Sequence, residues 1–149
     1  MTLRWIVAAL HLLALGIGLG AVWARGRGLR GALDAPGLKQ VFLADTLWGV
    51  AAILWIGTGL ARAFGGLEKG AAYYLAEPVF WTKMALLGAI LALEVRPMVT
   101  LIRWRIRAAK GDGIDTSPAR GMALVSDVQA GLVVLMVLTA TALARGISY

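Results

Sequence analysis

Four long runs of apolar residues, each bounded by arginine or lysine, set the pattern of the chain. The first, WIVAALHLLALGIGLGAVWA, lies between Arg4 and Arg25 and carries no formal charge beyond whatever His11 holds. The second, QVFLADTLWGVAAILWIGTGLA, runs from Gln40 to Ala61 around one carboxylate, Asp45. The third opens at Pro78 and continues through Lys83 and Glu94 to about Val99, and the fourth, from about Gly121, contains Asp127. A helix needs ~20 mostly apolar residues to cross a bilayer. The pattern therefore predicts transmembrane helices over about 4–24, 40–62, 78–99 and 120–144. Pro78 suits a first helical position, where its missing N–H would be unpaired anyway. No strand is predicted, and no segment between the runs is long enough to hold its own core. Residues 1–149 are expected to form one all-α membrane domain, a bundle of four transmembrane helices.

Composition sharpens the reading. Hydrophobic residues make up 60% of the 149 and charged residues only 15%, with a mean hydropathy of +0.78. Soluble domains are about 45–50% apolar and about a quarter charged, so the bilayer is the expected solvent. The net charge of +7 comes from residues beside the spans rather than from a tail. Anionic lipid headgroups, and not nucleic acid, are its expected partners. The chain has no Cys, which excludes disulfides, thiolate metal sites and thiol redox chemistry. Arg25, Arg27 and Arg30 follow the first run, the reverse of a signal peptide's charge order, so this run is read as a span.

Charge also orients the spans. Arg25, Arg27, Arg30 and Lys39 follow span one, and Arg96, Arg103, Arg105, Arg107, Lys110 and Arg120 follow span three. The other side carries Arg4, Arg62, Lys69 and Arg145. The positive-inside rule places the two basic connections in the cytoplasm and both termini in the periplasm. Trp5, Trp23, Trp81 and Trp104 are expected to form an aromatic belt, whereas Trp48 and Trp55 lie deeper. RWRIRAAK is expected to carry span three on beyond the membrane, and the turn cluster GDGIDTSP to lead into the last helix.

Ionisable residues inside spans are functional candidates by default. At ~1.5 Å of rise per residue, His11 and Lys83 fall in the outer half of the bilayer. Asp45, Glu94 and Asp127 fall in the inner half. Lys83 and Glu94, eleven residues apart, share a face that should point into the bundle. The inner carboxylates are expected to form a buried polar cluster paired with Arg96, Arg103 and Arg120, or alternatively a proton relay. Lys83 has two readings: it snorkels past Tyr73, Tyr74 and Glu77, or it faces His11. Ala14, Gly18 and Ala21 share the His11 face, with Gly16 and Gly20 beside it. Small residues let another helix approach, or leave a flat slot for a porphyrin. The single His limits haem ligation to His11 alone, His11 with Lys83 or a Met such as Met84, or His11 from two protomers.

The stretches LHLLALGIGLGAVWARGRGL, GTGLAR and EKGAAYYLAEPVFWTKMALL resemble a family of small four-helix bacterial inner-membrane proteins of unknown function. That resemblance implies the fold and a multi-pass inner-membrane location, but no activity. A more distant likeness, to the haem-binding four-helix membrane protoporphyrinogen oxidase, rests on His11, on FWTK ending at Lys83, and on Ser126-Asp127-Val128. It implies His11 and Lys83 as the pair that holds haem b, and the small-residue slot at Gly18 would then take the ring. The Trp-rich motif that follows the His in that family is absent here. Three functions follow as expectations. One is an accessory or scaffold subunit, working as a homo-oligomer or in a larger membrane complex. The others are a haem or tetrapyrrole protein and a small transporter or proton pathway.

Overall fold

The computed structural model describes residues 2–67 and 69–145, which are mostly helical with no strand among them. α1 spans Thr2–Gly28, α2 Ala35–Phe64, α3 Ala71–Ala76, α4 Pro78–Lys110 and α5 Ala119–Ala144. All but α3 are long and apolar enough to cross a membrane. The helices outrun the apolar blocks because polar residues cap them. Asp34 accepts from the Gly37 N–H (2.9 Å) and starts α2 ahead of its first apolar turn. Gly111, at φ 73°, ends α4 in a left-handed turn. In the connection that follows, Asp115 accepts from the Ser117 N–H (2.9 Å) and hydroxyl (3.0 Å). Those two bonds hold its carboxyl below the usual carboxylate range.

The connections α1–α2 and α4–α5 lie at one end of the bundle, here the loop end. The start of α1, the ends of α2 and α5, and α3 lie at the other, the terminal end. α1 packs on both α2 and α5, and α5 on α4. The backbones of α2 and α4 do not approach closely, and α3 touches both. The four spans thus stand in the order α2–α1–α5–α4, and α2 meets α4 through side chains such as Phe64 and Phe80, whose rings lie 6.3 Å apart.

Packing without a hydrophobic drive between helices depends on close backbone approach, and glycines supply it on α1. A Cβ on Gly18 would sit 3.4 Å from Ala51 Cβ and from the Trp48 ring. One on Gly26 would meet Asp127 Oδ1 at 3.0 Å and Ser126 Cβ at 3.2 Å. The central core joins Ala14, Ala21 and Val22 of α1 with Trp48, Trp55, Ile90, Val133 and Met136. At the loop end Leu29, Val41, Leu101, Trp104 and Met122 form a second core. Trp104, expected in the aromatic belt, is therefore a core residue: it lies on the Pro97–Leu101–Trp104 stripe that α4 buries. Trp5, Trp23 and Trp81 are exposed as a belt requires, while Trp48 and Trp55 face protein.

Candidate functional site

The ionisable residues inside the spans separate into two sites along α1. His11 and Arg25 are fourteen residues apart, about 21 Å of helix, and both lie on its buried stripe of His11, Ala14, Gly18, Ala21, Val22 and Arg25.

At the loop-end site every N–H of the Arg25 guanidinium is used. Nε donates to Ser126 Oγ (3.1 Å), Nη1 to Asp45 Oδ1 (2.9 Å) and Glu94 Oε1 (2.8 Å), and Nη2 to Glu94 Oε2 (2.9 Å) and Gln129 Oε1 (2.8 Å). Glu94 also accepts from Trp48 Nε1 (3.0 Å) and Gln129 Nε2 (2.8 Å). Arg105 closes the set, donating to Asp45 Oδ2 (2.9 Å) and to the Phe42 carbonyl (2.8 Å). Two arginines against two carboxylates make the cluster neutral. Arg25 is fully buried, yet no buried side-chain N or O atom among the described residues lacks a partner. The Trp48–Glu94 and Arg105–Asp45 bonds tie α2 to α4.

This arrangement corrects two expectations. Asp45 and Glu94 meet as foreseen, but their partners are Arg25 and Arg105. Arg96, Arg103 and Arg120 are exposed. Asp127 stands outside the cluster, paired with Arg30 at the surface. Arg25 sits at the end of an apolar run, where a positive-inside residue is expected to point to water. Its place on the His11 stripe turns it inward, and the 3.6-residue period was the signal that could have found it. With its donors and charges matched, this cluster locks α1, α2, α4 and α5 together.

At the terminal end α1, α2, α3, α4 and α5 enclose a cavity of about 390 Å³. His11 and Lys83 both line it, as do Trp55, Arg62, Met84 and Thr141. Lys83 thus faces the bundle. Among the described residues it makes no ion pair with Glu77 or any other acid, and no hydrogen bond. The imidazole is seated by Gly59, where a Cβ would lie 3.1 Å from His11 Cε1. Its Nδ1 is 2.9 Å from Thr58 Oγ1. The Thr58 hydroxyl lies 2.6 Å from the Leu54 carbonyl, to which it gives its one proton. It therefore accepts from His11 Nδ1–H, which leaves Nε2 as an acceptor. Among the described residues no hydrogen bond occupies Nε2, which is not sealed in the protein, and His11 lines the cavity. Neither Gly59, Thr58 nor the short helix α3 was anticipated from sequence.

The porphyrin slot expected beside His11 is filled. Trp48 packs against Gly18, and the Trp55 ring lies 6.4 Å from the imidazole, tilted by 42°. Gly18 therefore serves helix packing, and the residues present do not fit a haem there. Gly16 and Gly20 meet nothing within 4 Å of a Cβ position. With Leu19, Trp23, Ala130 and Gly131 they line an outward apolar groove between α1 and α5.

The sequence model of one family, described as predicted membrane protein (DUF2214), matches residues 3–148. No curated protein and no solved structure matches the chain. The chain belongs to this family of membrane proteins.

Proposed function

We propose that this member of the family is a binding protein of the bacterial inner membrane, with both termini in the periplasm. It holds a small molecule drawn from the bilayer in the terminal-end cavity, with the molecule's polar end against His11 and Lys83. One observation carries the reading: an open imidazole nitrogen and an ammonium without a protein partner converge on one chamber. The carboxylates of the loop end, by contrast, are spent on Arg25 and Arg105. Buried or half-buried groups left open in an apolar chamber are where ligand-binding energy is available.

The test is extraction and mass spectrometry of what co-purifies with the full chain, for wild type and for Ala140→Trp, which fills the chamber from α5. A small molecule held by wild type and missing from the variant supports the reading. If wild type carries nothing and takes up nothing from a membrane extract, the reading falls. A Soret band in wild type that is lost in His11→Ala would replace it with the haem function.

A second reading, an accessory subunit, is supported by the open Gly16–Gly20 groove, which fits an apolar transmembrane helix from a partner subunit. Gly20→Leu would close that groove. Loss of a larger assembly on blue-native gels, with the fold kept, would favour this reading.

A further inference from the structure

We infer that the molecule held in the terminal-end cavity is an amphipathic acid: an apolar chain ending in a head group with one acidic O–H and a second, hydrogen-bond-accepting oxygen. This rests on the binding function just proposed and names its ligand class. The polar groups of the chamber form an asymmetric pair. Thr58 fixes His11 with Nδ1 as donor, so Nε2 presents a lone pair. Lys83 presents up to three N–H donors and a positive charge. An acid head satisfies both, its O–H donating to Nε2 while its other oxygen accepts from Lys83. As that proton shifts toward Nε2, the anion that develops stays on the ammonium, which strengthens the bond.

Other head groups match less well. An alcohol reaches Nε2 but brings no anionic oxygen to Lys83. A phosphodiester brings the anion but no O–H for Nε2. An amine places a cation beside Lys83, where no carboxylate among the described lining residues offsets it. The rest of the wall, with Leu12, Leu15, Leu87 and Met136, is apolar and suits a hydrocarbon chain.

The acid could be a phosphate monoester or a carboxylic acid, and the experiment separates the two. Native mass spectrometry of the full chain in a non-ionic detergent would compare dodecyl phosphate, dodecanoic acid, dodecanol and inorganic phosphate. At least one acid should bind roughly tenfold or more tightly than dodecanol, the equivalent of about 1.4 kcal/mol, and free phosphate should not be retained. The stronger of the two acids identifies the source. The preference should vanish in His11→Ala and Lys83→Met and persist in Lys83→Arg.

Thr58 is a positioning residue, so Thr58→Val should reduce the acid-to-alcohol ratio and Thr58→Ser should restore it. Dodecanol binding as tightly as both acids would overturn the acid assignment while leaving the cavity reading intact. Retention of no chain compound by protein that keeps its helical circular dichroism would overturn both. Retention of inorganic phosphate alone would overturn the amphipathic assignment.

Discussion

Arg25 shows how one side chain can decide the character of a whole end of the bundle. A buried arginine is tolerated only when its donors and its charge are matched, and here four residues on three other helices supply the match. Removing one partner leaves an uncompensated charge, so Glu94→Gln and Arg25→Met should each lower unfolding stability in detergent by about 3–5 kcal/mol. Arg96→Ala, at an exposed position two residues from Glu94, should stay within about 0.5 kcal/mol of wild type. Equal effects of Arg96→Ala and Glu94→Gln in a denaturant titration would show that the network does not hold the fold. At this scale the sequence was only partly legible. The ionisable residues could be picked out and sorted by depth. Arg25 was missed because charge at a span end has two readings, and only its helical phase relative to His11 separates them. Thr58 and Gly59 were missed because a lone hydroxyl and a glycine in an apolar run carry no signal until the facing residue is known.

At the level of helices, α1 carries two kinds of glycine. Gly18 and Gly26 face α2 and α5 at contact distance, whereas Gly16 and Gly20 look outward. Gly26→Ala should destabilise by about 1–3 kcal/mol, because a Cβ there meets Asp127 and Ser126 in a packed interface. Gly20→Ala should be neutral or stabilise by up to about 1 kcal/mol through helix propensity. Thermal unfolding of the two variants side by side checks the pair, and a reversed order would refute this division of the α1 faces. The apolar runs made the four long helices legible, since span length and hydropathy act locally. The short α3 was not, because AAYYLA between Gly70 and Glu77 lacks the length and periodicity that mark a helix.

For the whole molecule, four spans place Thr2 and Arg145 at one end of the bundle, and the ten-to-four bias of basic residues supports the proposal that this end faces outward. The absence of native Cys makes this easy to measure with single introduced cysteines. Thr2→Cys and Gly113→Cys should react with an impermeant maleimide on opposite sides of the inner membrane, Thr2→Cys from the periplasm. Labelling of Gly113→Cys in intact spheroplasts would invert the orientation. The neighbour order of the helices was not legible beforehand, because it depends on which faces meet rather than on where each helix begins.

The bonds that tie α2 to α4 at the loop end also bear on what kind of work the molecule can do. Carrying a solute between compartments requires a site that is reachable from each side in turn. Here the loop end of α2 and α4 is stitched by Trp48–Glu94 and Arg105–Asp45, while the cavity lies at the terminal end. Opening the loop end would strand the charge of Arg25. On the binding function proposed above, such a site suits holding or presenting a guest at the terminal end rather than passing it along the bundle.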